Sequence, residues 1–176
     1  NTPGLRDFHA QNILKNLLKD ITDFTKKNKI KKPLVLKVSP DIADKEISHI
    51  VELMKKFNIS GVIISNTTDK NRENLRGKHK IEAGGLSGEP LEELSNNLIK
   101  KFYRELKKEI TIIGVGGINS GLSAYKKLKS GASLLQLYTG MVYEGPGVVK
   151  KIKAELIDIL VKEKIKNVNE IVGTGS

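Results

Sequence analysis

Short apolar segments alternate with longer amphipathic segments along this chain. The apolar segments are residues 34–38, 61–65, 111–115 and 134–138, and each is nearly continuous in apolar side chains. Such runs are typical of parallel strands that are covered on both faces. An amphipathic segment follows each run, and another precedes the first. The pattern therefore predicts an α/β fold with about four parallel strands and outer helices.

The amphipathic segments repeat large apolar residues at the 3.6-residue period of an α-helix. The faces that we expect to be buried are Leu14, Leu17, Leu18, Ile21 and Phe24; Ile47, Ile50, Val51, Met54 and Phe57; Leu91, Leu94, Leu98, Phe102 and Leu106; and Val148, Val149, Ile152, Leu156 and Ile159. Four strand–helix units make either half of a (β/α)8 TIM barrel or a small doubly wound sheet. Periodicity alone does not separate these two arrangements.

The connection between the second strand and its helix, residues 66–89, is far longer than the fold requires. Strand-to-helix connections in α/β units usually need about two to six residues. This one is polar and contains Asn66-Thr67-Thr68 and Gly84-Gly-Leu-Ser-Gly88. A connection of this length indicates a functional loop.

The length of the chain favours a part of a barrel over a whole one. A complete (β/α)8 barrel takes about 250 residues, whereas this chain has 176 and begins at Asn1 without Met. We therefore expect residues 1–176 to be the C-terminal half of a barrel domain, with the N-terminal helices and first barrel strands outside it. Its unpaired edge strands should pair with the rest of its own barrel or with a second copy.

Composition excludes several kinds of site. The chain has no cysteine, which excludes a disulfide, a thiolate metal site and a cysteine nucleophile within these residues. His9, His49 and His79 lie far apart, and His49 falls among polar neighbours on a predicted helix, where we expect it to be exposed. No His, Asp or Glu residues show metal-ligand spacing, so we predict no metal site. No segment reaches 18 consecutive apolar residues.

The formal net charge of +11 raises a nucleic-acid-binding module as a second class of function. The lysines, however, are spread along every predicted helix, and only 5% of residues are aromatic. A stacking platform for single-stranded nucleic acid needs aromatic residues among the basic ones. We therefore interpret the lysines as solvated helix faces, and a salt titration of binding would test the alternative.

Glycines follow the third and fourth predicted strands. Gly114-Val-Gly-Gly-Ile118 closes one strand and Asn119-Ser-Gly121 opens a helix, while Tyr138-Thr-Gly140 closes the next strand. Glycines let the backbone approach a ligand closely, and the start of a helix offers free N–H groups. In barrels, phosphate groups often bind after the last two strands. We predict a phosphate site here; the alternative is that the glycines only form tight turns.

Lys37 and the triplet after the second strand are the other candidate functional residues. Lys37 interrupts an apolar strand, so its amine must reach the barrel mouth, a buried anion or, on an edge strand, solvent. At a strand end it could stabilise negative charge on a cofactor or substrate. Asn66 and Thr67 offer uncharged donors and acceptors that suit a planar polar ring, or they form a turn with bonds to the local backbone.

Together these motifs resemble those of dihydroorotate dehydrogenase. They are Asn1-Thr-Pro-Gly-Leu-Arg6, Leu36-Lys-Val-Ser-Pro-Asp41, Ser65-Asn-Thr-Thr68, Gly84-Gly-Leu-Ser-Gly88, Ile113-Gly-Val-Gly-Gly117 and Gln136-Leu-Tyr-Thr139. Their order and spacing agree with the family over essentially the whole chain. The first and last motifs have the form seen in the membrane-associated, quinone-reducing class.

The resemblance implies FMN-dependent oxidation of dihydroorotate to orotate in pyrimidine (UMP) biosynthesis, with electrons passed to ubiquinone or another quinone. It implies that Lys37 stabilises the reduced flavin and that Ser65, where relatives often have Thr, contacts the isoalloxazine. The remaining FMN-binding residues would be Gly88, Gly117, Tyr138 and Thr139, the last three around the phosphate. The substrate-binding residues would be Asn1, Asn66 and Thr67.

The resemblance also implies functional parts upstream of Asn1. The catalytic base of this class is a serine two residues before that Asn, so we expect no catalytic residue in this segment and no activity from it alone. Residues 2–11 would belong to the loop that covers the active site. The quinone-binding helices would lie upstream and, in a bacterium, hold the protein peripherally on the cytoplasmic side of the cell membrane.

One rival enzyme class shares part of the pattern. A flavin-free isomerase or aldolase acting on a sugar phosphate would also need the glycine-rich strand ends. It would not need Lys37 together with Asn66 and Thr67. Flavin absorbance of the purified protein would separate the two classes.

Overall fold

The computed structural model describes residues 11–70 and 72–176, in which helices and strands alternate. Asn1 and residues 2–10 of the predicted covering loop lie outside the described residues. The elements are α1 (Gln11–Lys27), β1 (Val35–Val38), α2 (Asp44–Lys56), β2 (Gly61–Ile64), α3 (Glu92–Leu106), β3 (Thr111–Val115), α4 (Gly121–Lys129), β4 (Leu134–Gln136), α5 (Thr139–Glu144) and α6 (Val148–Lys162). Short 3-10 turns occupy Lys78–Ile81, Glu89–Leu91 and Val168–Ile171.

The four strands form one parallel sheet in the order β1-β2-β3-β4. A doubly wound sheet reverses its strand order at a switch point, whereas a barrel adds each new strand beside the last. The sequential order therefore distinguishes the two arrangements that periodicity left open. The fold is that of half a (β/α)8 barrel, as predicted.

One face of the sheet packs against the helices and forms the main core. In the register, Val38 lies beside Ile64, Ile64 beside Gly114, and Gly114 beside Leu135. Val38 and Ile64 are fully buried and share a cluster with the buried residues of α2 and α3. Helix packing on this face matches the apolar stripes predicted for α2 and α3.

The other face of the sheet is not covered by the described residues. Val35 and Leu134 lie on it and remain 41% and 56% exposed. Lys37 is also exposed and lies beside Ile63, which is half-buried. The prediction that all four strands are buried on both faces is therefore wrong for this chain. In a closed barrel this face would line the interior.

Several smaller predictions also differ from the structure. Leu17, Phe24 and Val149 are exposed although they were assigned to buried faces, with Phe24 at 61%. Helix α1 joins the core only through Leu14 and Leu18, which lie four residues apart on one narrow stripe. The short helix α5 was not predicted, because a six-residue helix leaves too little periodicity to detect.

Helices α4 and α6 are in close contact at Gly121. A Cβ atom on Gly121 would lie 2.4 Å from Cβ of Glu155 and 2.5 Å from the backbone nitrogen of Leu156. The Gly121 N–H donates a 2.6 Å hydrogen bond to Oε2 of Glu155. The carboxylate thus caps the start of α4, where an acidic group is favourable.

Gly121→Ala should destabilise the protein by about 1–3 kcal/mol, because the added methyl overpacks a backbone contact that cannot yield. The measurement is the denaturant dependence of unfolding in the complete protein that carries this chain. Gly147→Ala is the matched control, since its Cβ would meet nothing within 4 Å and its φ of −62° suits alanine. Equal stability of the two variants would contradict the packing argument.

Candidate functional site

The carboxyl ends of the four strands lie along one edge of the sheet. Because the strands are parallel, the segments that follow them must leave from that edge. These segments begin at Ser39 after β1, Ser65 after β2, Gly116 after β3 and Leu137 after β4. They contain every described residue for which a functional role was predicted except Lys37, which lies one residue before the end of β1.

Three of these segments meet around Thr139. Its Oγ1 lies 2.9 Å from Oγ of Ser87, and a Cβ on Gly88 would lie 3.0 Å from its Cγ2. Beside it, a Cβ on Gly140 would lie 2.7 Å from the carbonyl oxygen of Ile118. The structure thus brings Gly88 and Thr139 together, next to the segment that contains Gly117.

The geometry of this cluster fits an anionic group such as a phosphate. Gly117 has a φ of +75°, which favours glycine, and a Cβ there would lie 2.4 Å from Cβ of Glu92. The N–H groups of Gly88, Gly117 and Thr139 donate to no acceptor among residues 11–70 and 72–176. Backbone donors of this kind form anion-binding sites at strand-to-helix turns.

The start of α4, in contrast, offers fewer free N–H groups than the sequence predicted. The N–H groups of Asn119 and Ser120 donate to Oγ of Ser123, at 3.1 and 3.0 Å. The N–H of Ser123 donates to Oγ of Ser120, and that of Gly121 to Glu155. Four N–H groups at this helix start therefore have acceptors, three of them within the capping residues and one in Glu155 of α6.

Tyr138 contributes differently from the other predicted phosphate residues. Its side chain is 79% exposed and makes no hydrogen bond within the described part of the chain. Its carbonyl oxygen accepts the N–H of Met141, at 3.0 Å, and begins α5. The structure therefore places its backbone, and not its ring, next to the cluster around Thr139.

Ser65, Asn66 and Thr67 follow β2 in one extended segment. Ser65 is buried; its N–H donates to the carbonyl of Val115 at 3.3 Å, and its hydroxyl donates to the carbonyl of Asn66 at 3.0 Å. Asn66 is exposed and Thr67 is half-buried. The Asn66 N–H donates to the carbonyl of Val38 at 2.9 Å, which fixes the backbone and leaves its amide side chain in the open.

The next residue, Thr68, anchors this segment. It is fully buried, and its hydroxyl donates a 2.6 Å hydrogen bond to Oδ1 of Asp41. Its backbone forms two bonds with Leu86, of 3.1 and 2.6 Å. The positioning role of Asp41 was not predicted, because nothing in the sequence shows that the segments after β1 and β2 touch there.

Arg72 organises the long connection after β2, and its role was not predicted either. Its guanidinium donates to the carbonyl oxygens of Lys80, at 3.4 Å, of Glu82, at 2.8 Å, and of Gly84. A planar cation with five donors suits several carbonyl oxygens at once. The connection is thus held from within, ahead of the Ser87–Gly88 segment.

Lys37 lies on the uncovered face of the sheet. In the register it stands beside Ile63 on the same face, and Ser65 follows the end of β2 two residues beyond Ile63. Its side chain is exposed on an edge strand of the described sheet, so its position agrees with the barrel-mouth and the solvent-facing interpretations alike and not with a buried anion partner. The predicted roles of Lys37, Ser65, Asn66 and Thr67 toward a ligand remain predictions.

The described residues hold no group of three or more His, Asp or Glu side chains placed to bind a metal ion. His49 was expected to be exposed, but only 25% of its side chain is, and its Nε2 atom is buried without a hydrogen-bond partner in this part of the chain. Its Nδ1 atom lies 4.0 Å from Oε2 of Glu52, three residues further along α2.

Lys127 on α4 is the main exception to the interpretation of the lysines as solvated. It is fully buried, and its Nζ atom donates to Asn96 at 2.7 Å and to Ser95 at 3.1 Å. Burial lowers the pKa of its ammonium group from 10.5 to about 8, and the nearby carboxylate of Glu92 partly opposes this shift. A glycine inside the facing strand, Gly114, was the available sign that something bulky packs there.

In sequence and fold the chain is similar to dihydroorotate dehydrogenases. A family model described as dihydroorotate dehydrogenase matches residues 1–160. The dihydroorotate dehydrogenase (quinone) proteins of Trichodesmium erythraeum and Bartonella tribocorum are each 42% identical to the chain. The matches cover 98% and 97% of this chain but 47% and 48% of those proteins. The chain thus spans about half the length of the curated relatives it matches.

Solved structures give the same result for the fold. Ligand-free DHODH from Eimeria tenella superimposes with a TM-score of 0.91 at 33% identity, over 99% of this chain and 52% of that one. The complex of Eimeria tenella DHODH with ferulenol gives a TM-score of 0.87 at 32% identity. The similarity therefore extends over the whole half-barrel.

The buried amine of Lys127 predicts a pH dependence of stability. Its pKa is lower in the folded protein than in the unfolded chain, so between about pH 8 and 10.5 the unfolded state binds more protons. Stability from this group therefore rises with pH across that window. The difference in Tm between the parent and Lys127→Met should shift in favour of the parent from pH 7.5 to 9.5.

The matched control for this measurement is Lys126→Met on the same helix. Lys126 is exposed and forms only a 3.8 Å ion pair with Glu92. Its variant should follow the pH dependence of the parent. If the Tm values of the parent and both variants changed with pH in the same way, Lys127 would keep its charge when buried.

Proposed function

The chain belongs to the dihydroorotate dehydrogenase family, and from that premise we propose that the protein carrying it uses FMN to oxidise dihydroorotate to orotate, in pyrimidine biosynthesis, and passes the electrons to a quinone. The observation that supports this most is the match of a family model to residues 1–160. The quinone as acceptor is supported by the names of the similar proteins from Trichodesmium erythraeum and Bartonella tribocorum.

The phosphate of FMN would bind at the cluster around Thr139. Gly88, Gly117 and Thr139 offer backbone N–H groups that have no acceptor within the described residues. The hydroxyl of Thr139 is oriented by Ser87. Donors fixed before a ligand arrives lose little conformational entropy on binding, so this arrangement suits a dianion.

The flavin ring would lie over the uncovered face of the sheet. When bound, FMN supplies a two-electron acceptor. Lys37 would place a positive charge on that face, where it stabilises negative charge on the ring. Ser65 would limit the position of the ring from the end of β2, since its own backbone is held by Val115.

The substrate would contact the segment after β2. The amide of Asn66 and the hydroxyl of Thr67 can donate to and accept from the ring amides and carboxylate of dihydroorotate. Thr68 and Asp41 keep that segment in place. Asn1 would bind the same substrate, and the serine base would lie two residues before it.

The other function classes have less support. A flavin-free isomerase or aldolase explains the glycines but not the family match. A nucleic-acid-binding module explains only the charge of +11. None of the helices in the described residues is long and apolar enough to cross a membrane. Because the proposed acceptor dissolves in lipid, we propose a peripheral position on the cytoplasmic side of the membrane if the organism is bacterial.

Lys37→Ala in the complete protein should slow flavin reduction by dihydroorotate by about 10²–10³, because a preorganised charge is lost where negative charge develops. Stopped-flow absorbance of the flavin measures this rate, and thermal unfolding checks the fold. Lys32→Ala is the control, since Lys32 is exposed and precedes the same strand. Reduction at the parental rate would exclude this role for Lys37.

Asn66→Ala and Gly117→Val should have opposite effects. Asn66→Ala should impair turnover of dihydroorotate while the FMN content stays near that of the parent, because its exposed amide is assigned to the substrate. Gly117→Val should release FMN, because a side chain at φ +75° and against Glu92 displaces the backbone donors. Flavin content and steady-state rate are measured on the same preparations. Loss of FMN from Asn66→Ala would contradict its assignment.

A further inference from the structure

We propose that Lys127 is a positioning residue that holds the Gly116–Gly117 turn, through Ser95, in the shape that binds the cofactor phosphate. The inference rests on the proposed function, because it assigns a role toward the FMN phosphate. Lys127 itself lies on α4, on the helix side of the sheet, and we infer no contact between it and the cofactor.

The stem of Lys127 occupies the space left by a glycine in β3. A Cβ on Gly114 would lie 2.7 Å from both Cγ and Cδ of Lys127, and 2.9 Å from Cβ of Ala132. Glycine weakens a strand and commonly marks the close approach of another group. Here the group is the lysine stem, so the strand residue and the lysine form one packing unit.

The amine at the end of that stem joins α4 to the first turn of α3. It donates to Oδ1 of Asn96 and to Oγ of Ser95, and it interacts with the charge of Glu92. An apolar side chain would fill the same space without the cost of desolvating an ammonium group. The amine is therefore retained at a cost in stability, which calls for a role other than packing.

Ser95 carries the effect of this contact to the edge of the sheet. Its hydroxyl accepts from Lys127 and donates to the carbonyl of Val115 at 2.6 Å; the carbonyl of Ile64, at 3.3 Å, is more distant. A hydroxyl that accepts from an ammonium group becomes a stronger donor. With its acceptor occupied by Lys127, the single proton of Ser95 is directed to Val115.

Val115 is the last residue of β3, so its carbonyl sets where the glycine turn begins. The 2.6 Å bond from Ser95 is much shorter than the 3.3 Å bond from the N–H of Ser65 to the same oxygen. We therefore expect the position of the Gly116–Gly117 turn to depend more on the Lys127–Ser95 contact than on the hydrogen bond from Ser65.

The same turn of α3 also packs directly under the two glycines. A Cβ on Gly116 would lie 3.0 Å from Leu91 and 3.5 Å from Cβ of Ser95, and one on Gly117 would lie 2.4 Å from Cβ of Glu92. A shift of α3 would therefore move both glycines. By fixing α3 against α4, Lys127 keeps the backbone of Gly117 in place beside the cluster around Thr139.

The test compares FMN with riboflavin, which lacks the phosphate, on the complete apoprotein. Quenching of flavin fluorescence gives both dissociation constants. Lys127→Met should weaken FMN binding about tenfold, the ratio commonly produced by loss of one buried hydrogen bond. Riboflavin binding should change less than about threefold. Lys126→Met, the same substitution one residue away on the exposed face, should leave both constants unchanged.

Ser95→Ala separates the contact through Ser95 from a long-range effect of charge. It keeps the ammonium group and removes the link to Val115, so it should reproduce the selective loss of FMN affinity. The double variant should be no worse than either single one, because both remove the same link. Ser95→Ala also provides the test if Lys127→Met does not fold.

Three results would overturn the inference. An equal loss of FMN and riboflavin affinity would show that Lys127 has only a structural role. A loss in Lys127→Met but not in Ser95→Ala would show that its charge acts directly. A parent protein that binds FMN no better than riboflavin would overturn the proposed phosphate site, and this inference with it.

Discussion

Parallel pairing of the four strands is the constraint on which every proposed contact depends. It sends the segments after β1, β2, β3 and β4 away from one edge of the sheet. Residues as far apart in sequence as Ser87 and Thr139 can therefore form a hydrogen bond. The same pairing directs Lys37 and Ile63 to one face. A register shift of one residue would send these side chains to the helix face, where they would meet the core.

Anion binding at this edge is decided by which backbone donors are already used. The start of α4 looks suitable by sequence, yet Ser123 and Glu155 accept the N–H groups of Asn119, Ser120 and Gly121. Gly117 and Thr139 have no such partners among the described residues. The capped helix α4 is therefore a support, and the glycine turn before it is the part that is suited to bind an anion. The N–H groups that stabilise the start of α4 are thus different from the neighbouring N–H groups that we propose for anion binding.

A structural feature could be predicted from the sequence when the residues that determine it are close together in the chain. Strand identity is local, and it was predicted correctly from runs of apolar residues. The motifs are local too, but the roles assigned to their residues stay predictions. The burial of Lys127 is not local, because it requires Gly114, Ser95 and Asn96, which lie on other elements. The helical periodicity of α4 does not show what packs against the helix, so Lys127 was predicted to face solvent. The exposure of Val35 has the same origin, since no local pattern reports what covers a face.

Lys127 also shows why a buried charge can persist in a marginally stable protein. An ammonium group with its pKa lowered to about 8 is less favourable in the fold than in water. Replacing such a group by an apolar one of similar volume is often neutral or stabilising. Hydrophobic packing, however, has no direction, whereas the amine must meet Ser95 and Asn96 at 3.1 and 2.7 Å. The lysine exchanges stability for a defined position of α3, and that position sets the backbone at Val115, from which the glycine turn departs.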